Sequence, residues 1–142
     1  MERDFIVDYL KSYFANKPEV AFGYLFGSYA KGRAKSDSDL DIGIYINDYE
    51  PKSAYSYKLE EAETIQRVFG KEVDLTVINE ASPLLRHEIF KYGILVKEPD
   101  WEFLVNYKVK SFYQYLDQIY ITDRFFEKNK AKVRGEDLNG IR

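Results

Sequence analysis

Two short elements stand at a fixed gap: Gly27-Ser28, then ten residues, then Asp39-Leu40-Asp41. A further aspartate, Asp74, interrupts the apolar run Val73-Asp74-Leu75-Thr76-Val77. Carboxylates two residues apart on a strand share a face, about 6–7 Å from one another. Both can then reach one Mg²⁺, or a pair of ions about 4 Å apart. Asp74 joins them if its strand is the neighbour of theirs. Such a set can bind a nucleoside triphosphate and activate an acceptor hydroxyl, with Asp74 the candidate base as that hydroxyl attacks the α-phosphate. Gly27 allows close backbone approach to phosphate, and the following N–H groups and the Ser28 hydroxyl can bind its oxygens, helped by a helix N-terminus. Lys31, Arg33 and Lys35 lie in the same segment and could neutralise triphosphate charge.

Each piece alone is weak. A Gly-Ser pair after a strand is usually a turn, and an Asp-x-Asp pair is usually a solvated strand end. Together they weigh more. From average residue usage, both pairs at one fixed gap arise by chance in roughly one chain in several hundred.

The elements that must position these residues follow from hydrophobic spacing. Phe5, Ile6, Tyr9, Leu10 and Phe14 make residues 3–16 an amphipathic helix. Residues 19–26 read as a buried strand, and Gly27 to Ser38 as a loop with a short helix. Residues 40–46 read as the second strand. Leu40, Ile42, Ile44 and Ile46 share its core face, and Asp39, Asp41, Gly43 and Tyr45 share the other. Gly43 should leave space beside the carboxylates. Asn47 to Ser53 is a loop. Residues 54–69 form a helix with Leu59, Ala62, Ile65, Val68 and Phe69 on its apolar side, stopped by Gly70. Residues 72–78 are the third strand, in which a buried aspartate would be costly unless paired or metal-bound. Ser82-Pro83 starts another helix, ended by Gly93. Residues 94–98 are a short strand suited to an edge. Residues 100–130 are helical, and the polar tail beyond Lys130 frays. Strands alternating with helices indicate an α/β layer structure.

Composition narrows the chemistry. The chain has 142 residues, 45% hydrophobic, enough for the core of one domain. With no cysteine and one histidine, His87, metal must be held by carboxylates, which favours a hard ion such as Mg²⁺. Cysteine absence fits a cytoplasmic protein. The net charge of −3 counts against a dedicated nucleic-acid binder. No signal peptide or membrane span is expected.

The stretch GSYAKGRAKSDSDLDIGIYI, residues 27–46, resembles the signature of the DNA polymerase β-like nucleotidyltransferases. SPLLRHEIFKYGILVKE, residues 82–98, brings the resemblance closer to the minimal nucleotidyltransferase (MNT) antitoxins of prokaryotic HEPN/MNT toxin–antitoxin pairs. The similarity spans roughly residues 20–98. It implies a nucleotidyltransferase fold: a mixed sheet of about four strands flanked by helices, forming one domain with a C-terminal helical segment. It implies Mg²⁺ at Asp39 and Asp41, completion of the site by Asp74, and phosphate contact at Gly27 and Ser28. It also implies transfer of AMP from ATP to a tyrosine of a HEPN ribonuclease toxin, which silences it, and a hetero-oligomer with that toxin. The alternatives are an antibiotic-type small-molecule nucleotidyltransferase, for which 142 residues leave little room for a substrate domain, and an antitoxin acting by binding alone.

Other features weigh less. Val105, Val109, Phe112, Leu116 and Tyr120 form one helical stripe. Its first reading is packing on the protein's own sheet; the other is a partner-binding face. Arg86 could reach triphosphate or a partner. His87 reads as a satisfied or surface residue.

Overall fold

In a computed structural model of the chain, residues 2–138 are described, with side chains through Lys130. The order is α1 (Glu2–Ala15), β1 (Val20–Phe26), α2 (Gly27–Ala30), β2 (Leu40–Ile46), α3 (Pro51–Phe69), β3 (Val73–Val77), a 3₁₀ turn (Ile78–Glu80), α4 (Pro83–Tyr92), β4 (Ile94–Lys97) and α5 (Trp101–Leu138). The strands form one mixed sheet in the order β3-β2-β1-β4. β1 runs antiparallel to β2 and β4, and β2 runs parallel to β3.

The parallel pair dictates what lies between its strands. Parallel neighbours need a crossover, and α3 supplies it. This helix begins three residues earlier than its hydrophobic spacing suggests. Pro51 takes the first helical position, and the Glu50 carboxylate accepts hydrogen bonds from the Lys52 and Ser53 backbone N–H groups at 3.2 and 2.9 Å. Gly70, at φ +64°, ends it in the left-handed conformation. Its buried side matches the expected one at Ala62, Ile65 and Phe69 and departs from it elsewhere. Leu59 and Val68 are exposed, whereas Ala54, Glu61 and Ile65 are buried. Glu61 is tolerated there because Lys17 lies 3.0 Å away and the Tyr13 hydroxyl donates to it at 2.8 Å.

Both faces of the sheet are covered. Leu40, Ile42, Ile44, Leu75 and Val77 pack with Ile6, Leu10, Phe14 and Ile65 in the main core. Phe22, Tyr24, Ile78, Ile89 and Leu104 form a second core on the opposite face. Tyr45 belongs to that second layer, 5.2 Å from the Phe22 ring and 5.0 Å from the Tyr107 ring. β4 is an edge strand, as its length suggests. Its Lys97 ammonium donates to the Phe14 carbonyl at 2.6 Å, tying down the end of α1.

α5 is longer than expected and turned the other way. It continues through Leu138, where a frayed tail was expected; residues 139–142 of that tail lie outside the described residues. Leu104 and Ser111 are buried against the body, and Arg86 of α4 donates to Tyr107 and Ser111 at 3.2 and 3.3 Å. The Val105, Val109, Phe112, Leu116 and Tyr120 stripe is exposed, so its packing on the sheet is not borne out. Every residue from Leu116 to Lys130 is exposed, a stretch of about 22 Å at 1.5 Å per residue. Leu104→Ala is therefore expected to cost about 2–5 kcal/mol. Leu116→Asp is expected to change stability by no more than about 0.5 kcal/mol. Urea melts of the two variants check the orientation of the helix. Among the described residues no helix is long and apolar enough to cross a membrane.

Candidate active site

β2 and β3 are neighbours, and their register sets Asp41 opposite Asp74. On its other side Asp41 pairs with Phe26, the last residue of β1. Gly27 follows directly, so the Gly27-Ser28 turn lies over the Asp41 carboxylate. Gly27 has φ +69°. A Cβ built on it would sit 2.9 Å from Asp41 Cγ and closer still to Oδ2. Only glycine meets both demands, the left-handed backbone and the missing side chain.

Asp39 lies one residue before β2 and is exposed. The ladder begins beside it, where the Leu40 N–H donates to the Glu72 carbonyl at 2.9 Å. Asp41 is half-buried. Burial pushes its carboxyl above the ordinary aspartate range, and the charges of Asp74 and Asp39 add to the rise. No cation offsets them: among the described residues, none of the three joins an ion pair. Asp74 is exposed on an outer strand, so the cost of burying a carboxylate does not apply to it.

The donor set is hard and oxygen-only, and it carries mutual repulsion that a divalent cation would relieve. Its chemistry therefore fits Mg²⁺. Among the described residues, no three acidic or imidazole side chains yet converge closely enough to hold an ion. The strand register sets the Asp41 and Asp74 backbones directly opposite one another.

Several expectations change here. Gly43 does not leave an open space. A Cβ on it would meet Ile78 side-chain carbons at 3.2 Å and Ile89 Cδ1 at 3.4 Å, so α4 and the 3₁₀ turn close that part of the face. α2 has only four residues, too few to sum a helix dipole for phosphate. Lys31 does not stand free: its ammonium lies 3.3 Å from Glu88 and 4.7 Å from the centre of the Tyr92 ring. Lys35 and Arg33 are exposed on the loop before β2. Arg86 is committed to α5. His87 stacks on Tyr115 at 3.8 Å, a packing role. One residue that spacing did not single out touches the loop leading to Asp39. Lys71, in the turn between α3 and β3, donates to the Ser36 carbonyl at 2.6 Å.

Comparison with known proteins reports on the same region. The family described as polymerase beta, nucleotidyltransferase matches residues 8–102. The protein adenylyltransferase MntA of Shewanella oneidensis is 31% identical over 129 residues, covering 87% of this chain and 89% of the relative. A putative protein adenylyltransferase of Methanocaldococcus jannaschii is 37% identical over 75 residues, 49% of this chain and 72% of the relative. Among solved structures, a tri-AMPylated Shewanella oneidensis HEPN toxin in complex with MNT antitoxin contains a chain that aligns with a TM-score of 0.69 at 19% identity. That alignment covers 90% of this chain and 98% of the matched one. A toxin–antitoxin structure with AMP-PNP aligns with a TM-score of 0.57 at 21% identity, covering 95% and 98%. At those identities the structural matches speak for the fold.

Proposed function

The chain belongs to the polymerase β nucleotidyltransferase family, and from that premise we propose that it is a Mg²⁺-dependent protein adenylyltransferase acting on a HEPN-domain ribonuclease toxin. The observation that carries the reading is the placement of Asp41 between the Gly27-Ser28 turn and Asp74. A phosphate-binding turn, a half-buried carboxylate and an exposed carboxylate then lie side by side along three adjacent segments.

In this reading Asp39 and Asp41 hold Mg²⁺, and Asp74 completes the set. The ion supplies Lewis-acid stabilisation of the negative charge that builds on the phosphate oxygens. The Gly27 turn brings backbone N–H groups and the Ser28 hydroxyl to the triphosphate of ATP. Asp74, exposed at the rim, accepts the proton of the incoming tyrosine hydroxyl. The tyrosine oxygen bonds to the α-phosphorus as the bond from that phosphorus to the bridging oxygen breaks. The products are an AMP-tyrosine ester and pyrophosphate. Lys35 and Arg33 are close enough in sequence to neutralise phosphate charge. Lys31 can do so only by leaving Glu88.

The acceptor is read as a protein rather than a small molecule. Beyond the nucleotide face, the chain displays the exposed apolar stripe of α5, which suits a macromolecular surface. The relative and the aligned structures named above are an adenylyltransferase and toxin–antitoxin complexes, which supports the same choice. The test is direct. The protein is incubated with ATP, Mg²⁺ and the HEPN protein encoded beside it, and the products are weighed. A mass gain of the HEPN protein in multiples of AMP is expected. An unchanged mass, with the toxin still inhibited, would instead support neutralisation by binding alone.

A further inference from the structure

The carboxylate of Asp39 has nothing of its own to hold it. Among the described residues it accepts no hydrogen bond and joins no ion pair, and it is exposed. Its position depends on its backbone, and that backbone is held at both ends by two consecutive residues. At the near end, Lys71 Nζ donates to the Ser36 carbonyl at 2.6 Å. At the far end, the Glu72 carbonyl accepts the Leu40 N–H at 2.9 Å. Between them the chain makes one compact turn, with Ser38 N–H to the Lys35 carbonyl at 3.0 Å and Lys35 N–H to Ser38 Oγ at 2.7 Å.

Lys71 is built into this place. Its side chain is only 14% exposed, although it lies in a surface turn. The ammonium lies 5.7 Å from the centre of the Tyr29 ring, one residue after Ser28, and 3.5 Å from Glu2 of α1. One cation therefore reaches the segment before Asp39, the helix that begins at Gly27-Ser28, and the first helix. The Glu2 carboxylate is 58% exposed, so that pair is weak. The bond to the carbonyl is the charge-assisted one and carries the tether.

We propose that Lys71 is a positioning residue for the metal site, holding the segment from Ser36 to Leu40 so that Asp39 is presented beside Asp41. This rests on the reading of Asp39 and Asp41 as metal ligands. The Gly70 turn that ends α3 thus does two things: it starts β3, which carries Asp74, and it delivers the lysine that orients Asp39.

The test uses the full chain and Mn²⁺ alone, titrated by electron paramagnetic resonance. Lys71→Met, titrated at a temperature where melts show it folded, is expected to bind Mn²⁺ about tenfold more weakly than wild type, and Lys71→Arg to stay within about threefold of wild type. Hydrogen exchange at the amides of residues 36–40 is expected to speed up in Lys71→Met, while that of residues 42–46 is not. Unchanged or tighter Mn²⁺ binding by Lys71→Met overturns the proposal, since tighter binding would mean that the lysine acts only as a repelling charge. If the methionine variant melts early, Lys71→Gln replaces it with the same expectation and the same overturning result. Failure of the underlying metal reading looks different: wild type then binds no Mn²⁺, while the exchange difference over residues 36–40 remains.

Discussion

Asp41→Asn is expected to abolish AMP transfer and to leave the protein at least as stable as wild type. The loss of rate is expected to be about 10³-fold or more, the scale on which removing a group aimed at reacting charge acts. The stability half of the prediction follows from the sign of the shift. Burial first, then the Asp74 and Asp39 charges, raises the Asp41 carboxyl above its unfolded value. An acid raised on folding lowers stability as it ionises. That cost is absent below the unfolded value and fully present once the pH has passed the folded one. At neutral pH the ionised side chain therefore works against the fold, and asparagine removes the charge while keeping the shape. Asp39→Asn relieves the same repulsion and is expected to lose activity in the same way. Mass spectrometry of the HEPN protein reads the activity, and thermal melts read the stability. A neutral variant that melts well below wild type would show that the acidic cluster is not the repulsive site described here.

Gly27→Ala is expected to lose both activity and stability. A left-handed backbone costs an alanine about 1–2 kcal/mol. Position 27 adds a second penalty, because the new methyl group falls on the Asp41 carboxylate. Gly32 provides the control. It has the same φ of +69°, but its nearest neighbour beyond an added Cβ is Arg3 Nη1 at 3.8 Å. Gly32→Ala should therefore show the backbone cost alone. The excess destabilisation of Gly27→Ala over Gly32→Ala measures the contact between turn and carboxylate. Adding Asp41→Ala to Gly27→Ala should recover that excess and leave activity absent. Equal destabilisation of the two glycine variants would mean that Gly27 does not press on Asp41.

The strands and their acidic faces were legible because alternation is a local property. Leu40, Ile42 and Ile44 must turn one way, so Asp41 must turn the other. The pairing of β2 with β3 was less secure, since alternation says nothing about neighbours; the parallel register that sets Asp41 against Asp74 is a property of the sheet. What the sequence hid was non-local. Lys31 reads as a phosphate ligand until Glu88 arrives from α4. Gly43 reads as open space until Ile78 and Ile89 fill it. On α3 an apolar count favours Leu59 and Val68, yet the buried position goes to Glu61, which finds Lys17 and Tyr13 on other segments. α5 shows the same limit. Apolar residues run around much of its circumference, and periodicity cannot say which stripe meets the body. The face that does so includes Tyr107 and Ser111, because Arg86 supplies their hydrogen bonds. The start of α3 at Pro51 was the exception: the proline and the preceding glutamate were there to be read.

β3 is the outermost strand on its side, five residues long; it pairs with one strand only, β2, and its Leu75 and Val77 pack into the main core. The acidic patch thus straddles the boundary between the sheet's interior and its rim. Rim strands open by sub-global fluctuation at less free energy than the whole domain needs to unfold. An opening of β3 would carry Asp74 away from Asp41 while β1 and β2 stay joined. A ligand that grips both strands suppresses these excursions by mass action. Substrate would then act as a clasp, and the catalytic arrangement would be most complete when it is in use.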